Sequence, residues 1–196
     1  MKLQNWITLG LLNCVMVTSM ALAEIPRTPS KFTPEEIKAY VEAHNVERRL
    51  VGAPLAVWDD EVAAYAQAYA DHLAKTGKFE HYTREVRKTL DQGENLYWTS
   101  SSERVKIISG STASWAEEKI NENTGAPVKV NGIVYDDIEE AHPGHVLGHY
   151  TQMVWARSTK IGAGIAQYQV GDKRGRHVVV GRYAPRGNRG SQIAVP

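Results

Sequence analysis

The stretch "HVLGH" carries two histidines at the spacing of a helical metal site. His145 and His149 are four residues apart, which places two imidazoles on one face of a helix, as in the H-E-x-x-H motif of zinc peptidases. Val146 stands where that motif requires its general-base glutamate, so the zinc-peptidase interpretation fails. A two-histidine metal site stays open, although Pro143 and Gly144 predict that His145 lies on an irregular approach to the helix.

Two glutamates stand near a histidine or a tryptophan at spacings that allow chemistry. His81 and Glu94 flank a basic, turn-like segment in "FEHYTREVRKTLDQGENLYW", where Gly93 lets the chain turn inward. Glu118 follows Trp115 by three residues, so the two share a helical face. Spacing alone favours an ordinary interpretation of Glu118, as an exposed charge at the edge of the core.

Three other histidines are given no function. His44 recurs on one face of the first predicted helix and is expected to be a core or boundary residue. His72 falls on a polar helix face, and His177 opens a predicted strand.

The sequence lacks the motifs that define several common classes of enzyme and nucleotide-binding protein. It lacks the G-x-S-x-G motif of serine hydrolases, the Gly-rich phosphate loop and the G-x-G-x-x-G dinucleotide motif. Cys14 is the only cysteine and falls in the predicted leader, so a cysteine nucleophile, a thiolate metal site and a disulfide are not expected in the mature chain. Loss of the leader removes Lys2 from the 23 Lys and Arg residues, leaving 22 basic against 22 acidic residues. This balance gives no reason to expect nucleic acid as a partner.

The first 23 residues have the pattern of a secretory signal peptide. Lys2 precedes a mostly apolar run from Trp6 to Met20, and Ala21-Leu22-Ala23 supplies the small-residue cleavage site. Polar residues interrupt the run, so a permanent membrane span is the poorer interpretation, and Asn13 before Cys14 makes a lipoprotein anchor equally poor. We expect cleavage near Ala23/Glu24, secretion or release into the periplasm, and no transmembrane span in the mature protein.

The mature chain predicts one α+β domain. Residues 24–32 are expected to be an exposed lead-in, and residues 33–196 a single domain. Capping signals predict helices from Thr33 to Gly52 and from Asp59 or Asp60 to Gly77, and a third helix over 102–120 is expected to be interrupted around Gly110. Asn131-Gly132 in "VKVNGIVY" predicts a β-hairpin, and "IGAGIAQY" and "HVVVGRY" predict two further strands.

The stretches together resemble the CAP superfamily of cysteine-rich secretory, antigen 5 and pathogenesis-related 1 proteins, in its bacterial secreted branch. "GHYTQMVWARS" matches the first family signature, "GRYAPRGN" resembles the second, and "EAHNVERRLVGAPLAVWDDEVAAYAQAYA" is very close to the opening of the plant proteins. The resemblance covers about Thr33 to Asn188. It implies a three-layer α-β-α sandwich with a central antiparallel sheet. Two departures stand out: Ala163 and Gly181 occupy positions where the family carries cysteines, and residues 127–145 look like a hairpin elaboration.

The resemblance also implies a cleft formed by two histidines and two glutamates. Residue by residue, these are His81, Glu94, Glu118 and His149, with His142 and His145 as possible accessories. His81 and His149 would hold Zn²⁺ or another divalent metal, with the glutamates orienting the imidazoles. A metal-free network of the same four side chains is the alternative.

Three functions follow, and they differ in what the cleft does. The favoured one is a non-enzymatic secreted protein that binds a lipid, sterol-like or cell-envelope ligand and has a divalent-metal site. The second is a metal-dependent, peptidase-like hydrolase with Glu94 or Glu118 as general base. The third is an interaction or signalling protein with a vestigial cleft, whose C-terminal tail is either a recognition segment or a solvated terminus. We expect a monomer or weak dimer and no organic cofactor.

Overall fold

The computed structural model describes residues 25–196. The predicted signal peptide and its cleavage site near Ala23/Glu24 lie outside these residues. The lead-in has no secondary structure, but it is attached to the domain at its end: Phe32 is buried and the hydroxyl of Ser30 donates to the carbonyl of Ala163 at 2.7 Å.

The two long helices begin and end where their capping residues predict. Helix α1 (Pro34–Leu50) starts at a capping box in which Thr33 accepts from the Glu36 amide and Glu36 accepts from the Thr33 amide. Strand β1 (Val57–Trp58) leads into α2 (Asp60–Thr76), which is capped by Asp59 and ends at Gly77. Gly77 has φ 75°, a left-handed conformation that glycine adopts without steric cost.

The sheet is formed by β1, β2 (Gly93–Thr99), β3 (Lys160–Gln167) and β4 (His177–Ala184). Their order is β1-β3-β4-β2, and the three longer strands pair antiparallel, as the family resemblance implies. Sequence signals predicted β3 and β4 but not β1 or β2. The short β1 pairs parallel with β3, so the sheet is mixed at that edge.

Helices cover both faces of the sheet, which gives the expected three layers. Helix α2 lies on one face, where an added Cβ on Gly162 or Gly164 would come within 2.3 Å of its backbone. Helices α1, α4 (Arg104–Glu117) and α6 (Gly148–Val154) cover the other face. Side chains alternate along each strand, so Val178 and Val180 pack under α2 while Val179 and Tyr183 face the larger core around Trp115.

Two short helices complete the secondary structure of the described part. Helix α3 (Arg84–Thr89) separates His81 from β2, and α5 (Tyr135–Ala141) precedes α6. No helix between residues 25 and 196 has both the length and the apolar character needed to cross a membrane.

The predicted hairpin over "VKVNGIVY" is wrong. Gly132 does turn the chain with φ 68°, but the flanking residues pair with the C-terminus instead of with each other. Asn131 forms a bridge with Val195 and Val134 with Ile193, and Tyr135 already begins α5. The C-terminal tail is therefore not a solvated terminus, since Ala194 and Val195 are almost fully buried.

The predicted interruption at Gly110 is also wrong. Helix α4 runs through it without a break. The glycine is explained by packing, because an added Cβ would lie 2.8 Å from the hydroxyl of Tyr97.

Candidate functional site

The first half of the site is a hydrogen-bonded pair of His81 and Glu94. The imidazole Nδ1 lies 2.8 Å from Glu94 Oε1, and the amide of Tyr82 donates to the same oxygen at 2.9 Å. An ionised carboxylate only accepts hydrogen bonds, so Nδ1 of His81 is the donor in this pair. The Glu94 side chain is fully buried, whereas the His81 side chain is 45% exposed. A fixed carboxylate thus orients an accessible imidazole.

Glu94 is held from behind by Arg182 of β4. Arg182 Nη2 donates to Glu94 Oε2 at 2.8 Å, and neither side chain is exposed to solvent. The guanidinium also lies 5.3 Å from the ring centroid of Tyr82 and 5.8 Å from that of Tyr69. Burial lowers the pKa of Arg182, and the Glu94 charge opposes that shift. Arg182 lies in the motif "GRYAPRGN", but nothing in the sequence indicates that it pairs with Glu94, so sequence reasoning missed this residue.

The second half of the site is the pair of Glu118 and His149. Glu118 caps the C-terminal end of α4, and its Oε1 contacts His149 Nδ1 at 2.5 Å. Its other oxygen accepts from the backbone amides of His149 and Tyr150 at 2.8 and 3.0 Å. Trp115, one turn earlier, stacks on the His149 ring with centroids 6.3 Å apart. Glu118 is therefore not the exposed edge charge that its spacing favoured, because the start of α6 closes over it.

Strand β2 connects the two pairs. Successive side chains of a strand point to opposite faces, so Glu94 faces α2 while Asn95 faces α6. The Asn95 amide donates to the carbonyl of His149 and to the hydroxyl of Tyr183, both at 3.0 Å. Asn95 is thus a second positioning residue that sequence reasoning missed; it lies beside Glu94 in the "GENL" segment.

The two proposed accessory histidines occupy different environments. His145 precedes α6, as Pro143 and Gly144 predict, so it does not share a helical face with His149. Its Nε2 donates to the backbone carbonyl of Glu118 at 2.8 Å, and its Nδ1 is buried without a hydrogen-bond partner in the described part of the chain. His142 Nδ1 instead accepts from the amide of Asn121 at 3.0 Å. His145 therefore lies next to Glu118, whereas His142 holds the loop around Asn121.

His44 has the core role that the sequence predicts. Its Nδ1 donates to the Tyr40 carbonyl at 2.9 Å, and its Nε2 accepts from the Tyr183 hydroxyl at 3.0 Å. Burial lowers the pKa of His44 to about 4. It is a satisfied, neutral residue behind the site.

Each pair leaves one imidazole nitrogen outside its hydrogen bond, the Nε2 of His81 and the Nε2 of His149. No group of three or more His, Cys, Asp and Glu side chains that could share an ion occurs among residues 25–196. Both glutamates are committed to backbone amides and imidazole Nδ1 atoms. Imidazole nitrogens are donors that suit a divalent ion such as Zn²⁺, and a carboxylate bound to the other ring nitrogen is a common way of orienting such a ligand.

Comparison with known protein families shows which family the chain belongs to. The model of the cysteine-rich secretory protein family, CAP, matches residues 41–183. The chain belongs to the CAP family. The match includes all four residues of the two pairs, and this CAP domain has the α-β-α layers that the resemblance implied.

Among its curated relatives are plant pathogenesis-related proteins. This CAP protein is 33% identical over 150 residues to pathogenesis-related protein 1A of Nicotiana tabacum, covering 76% of this chain and 74% of that protein. It is 32% identical over 175 residues to pathogenesis-related protein 1 of Arabidopsis thaliana, covering 88% and 90%. These relatives are plant proteins, and the bacterial branch stays a prediction.

Solved structures of similar fold include BmVAL-1 and NaASP2, the latter described with Zn²⁺. BmVAL-1 matches with a TM-score of 0.63 at 23% identity, covering 85% of this chain and 84% of that one. NaASP2 matches with a TM-score of 0.62 at 23% identity, covering 83% and 86%. At this identity the likeness establishes the fold alone.

The two cysteine positions that this CAP protein lacks lie opposite each other. Ala163 of β3 pairs with Gly181 of β4. A Cβ on Gly181 would lie 2.5 Å from the Tyr40 hydroxyl and 2.9 Å from the Trp115 ring. The space of that side chain is therefore filled by the aromatic core.

Proposed function

We propose that this protein is a secreted, non-enzymatic CAP protein that binds a divalent cation through His81 and His149 and a lipid-like ligand through an apolar groove. The observation that carries the proposal is that each of the two imidazoles has its Nδ1 held by a glutamate. Secretion is supported by the signal-peptide pattern of residues 1–23 and by the family description.

Metal binding is supported by the tautomers that the glutamates impose. A neutral imidazole with its proton on Nδ1 has a free lone pair on Nε2, which is the form that binds Zn²⁺. Two protein ligands leave coordination positions for water or for a ligand donor. The neighbour NaASP2, whose structure is described with Zn²⁺, lends this choice of ion further support.

The hydrolase alternative needs Glu94 or Glu118 as general base, and both are already engaged in several hydrogen bonds. Glu94 already accepts from Arg182, Tyr82 and His81. Glu118 accepts from two backbone amides and from His149. Three donors occupy most of the roughly four acceptor sites of each carboxylate, and these hydrogen bonds hold it to the protein, so binding is favoured over hydrolysis.

The lipid-like ligand is supported by a groove between α1 and α4. Its volume is about 200 Å³, and its lining is mostly apolar, with Ala39, Ala43, Val105 and Ile108 on its walls. This volume is below the ~300–1,000 Å³ of pockets that bury a drug-sized molecule. The groove therefore suits one narrow hydrocarbon chain better than a fused sterol ring system.

The metal proposal is tested by native mass spectrometry and zinc titration calorimetry on exported protein purified without chelator. We expect one bound Zn²⁺ per chain, lost in the His81→Ala/His149→Ala double variant. The matched control is His72→Ala/His177→Ala, which removes two histidines elsewhere and should retain the ion. Equal zinc binding by both double variants would refute the assignment.

The lipid proposal is tested by displacement of a fluorescent fatty acid. Ala39→Trp places a large side chain in the groove and should abolish binding, whereas Ala141→Trp on the exposed end of α5 should not. Failure of the wild type to bind the probe would remove the lipid part of the proposal and leave the metal part standing.

The mass of the exported protein also tests cleavage near Ala23/Glu24.

A further inference from the structure

Arginines concentrate on one surface next to the candidate site. Arg84 and Arg87 lie on α3, while Arg186 and Arg189 lie in the segment after β4. Partial burial lowers the pKa of Arg186, and the positive charges of Arg189, Arg87 and Arg84 lower it further, while Asp91 opposes the shift. Arginines from two separate segments therefore lie near Arg186. Together with Arg157 they form the arginine cluster, which consists of Arg84, Arg87, Arg157, Arg186 and Arg189.

A small cavity opens within this cluster. Its volume is about 140 Å³, and Arg157, Arg186, Arg189, Asp91 and Gln192 contribute to its lining. Asp91, the one acidic residue in that lining, is in contact with Arg189. The lining thus has a positive excess and side-chain N–H donors on more than one side.

Many cations elsewhere in the described part are paired with carboxylates, whereas in the cluster only Arg189 has such a partner. Lys31, Arg104 and Lys119, for example, each contact an aspartate or glutamate. Within residues 25–196, Arg84, Arg87, Arg157 and Arg186 form no salt bridge, and the buried Nε of Arg186 has no hydrogen-bond partner. Grouping unpaired cations raises the energy of the folded protein, and an unmet buried donor adds to that cost.

We propose that the arginine cluster binds a phosphate group of a larger ligand. Guanidinium groups bind phosphate oxygens through paired N–H donors, and a phosphate can accept from several of them at once. A carboxylate has two oxygens in one plane and fits fewer of these donors. The small volume suits a headgroup-sized anion instead of a chain.

The position of the cluster links it to the candidate site. Helix α3 begins three residues after His81. On the other side, Asn188, next to Arg189, donates to the carbonyl of Gly148 at 2.7 Å, and Gly148 precedes His149. The phosphate site does not depend on the metal or on the groove, so it can be tested separately.

The test uses two probes that share the phosphate group and differ in its source. Inorganic phosphate is titrated by calorimetry at low ionic strength. Vesicles of phosphatidylcholine with and without phosphatidic acid are tested by co-sedimentation. Arg186→Gln/Arg189→Gln is compared with Arg174→Gln/Lys129→Gln, which makes the same charge change at exposed residues elsewhere. Thermal unfolding confirms that each variant is folded.

We expect the Arg186→Gln/Arg189→Gln variant to bind phosphate at least about tenfold more weakly than wild type, because two charge-assisted donors are removed. The control variant should bind like wild type. Selective sedimentation with phosphatidic acid would assign the phosphate to a lipid headgroup, and binding of free phosphate alone would assign it to a soluble ester.

Three results would overturn the proposal. Wild-type protein would bind neither probe, or the control variant would lose as much affinity as the cluster variant. Equally tight binding of succinate at the same ionic strength would show that the cluster does not select phosphate.

Discussion

The buried pair of Glu94 and Arg182 makes a strong prediction about stability. In Glu94→Ala, the Arg182 guanidinium stays buried without its carboxylate, and the amide of Tyr82 loses its acceptor. Removing one partner of a buried ion pair costs about 3–5 kcal/mol in free energy of unfolding. Contacts of Arg182 with Tyr69 and Tyr82 remain, so we expect the lower end, about 3 kcal/mol.

The corresponding shift in melting temperature is measurable. At about 2–4 °C per kcal/mol for a domain of this size, Glu94→Ala should lower Tm by about 6–12 °C. Circular dichroism melts and urea unfolding followed by tryptophan fluorescence would measure it. Glu42→Ala, which removes an exposed ion pair with Arg49, is the control and should leave the unfolding midpoint nearly unchanged.

A second substitution separates the unpaired charge from lost packing. In Glu94→Ala/Arg182→Met neither position of the pair carries a charge, so the double variant should be more stable than Glu94→Ala. The reasoning is refuted if Glu94→Ala melts within about 2 °C of wild type, or if the double variant is less stable than the single one. Either result would mean that water or other groups solvate Arg182.

Three further predictions concern the core and the C-terminus. Burial lowers the pKa of His44 from its ordinary 6.5 to about 4. Its contribution to stability is therefore fully present above pH 6.5, and about 3 kcal/mol is lost as the pH falls towards 4. The urea midpoints at pH 7 and pH 4.5 should differ less in His44→Gln than in wild type. Gly181→Ala should destabilise by about 1–3 kcal/mol, because its methyl group would overlap Tyr40 and Trp115; an unchanged Tm would contradict this. Deletion of residues 193–196 removes two buried side chains and three backbone hydrogen bonds to other segments. It should lower the free energy of unfolding, measured in urea, by about 2–4 kcal/mol. A truncated chain of wild-type stability would contradict this prediction.

Local sequence signals predicted much of the secondary structure. Thr33, Glu36 and Asp59 cap their helices from within the same few residues, and Gly77 ends α2 through its own backbone freedom. Strands β3 and β4 are predicted by their own residues and the polar turn between them, and in the structure each forms a continuous buried run. These features depend on neighbours in the chain, so they can be read without the fold.

The tertiary structure decided the features that join distant residues. Asn131-Gly132 has hairpin-forming residues, yet the final residues of the chain supply its pairing partners. Gly110 is a poor helix residue whose place is explained only by Tyr97 from the neighbouring strand. In both cases a long-range contact overrides a local preference.

The candidate site divides in the same way. The motifs and the family resemblance selected His81, Glu94, Glu118 and His149, and the fold joined them into two pairs with the tautomers described above. Sequence spacing did not reveal Arg182, which meets Glu94 across 88 residues, or the arginine cluster built from distant segments. Charge pairing and burial depend on distance in space, and only the folded chain sets that distance.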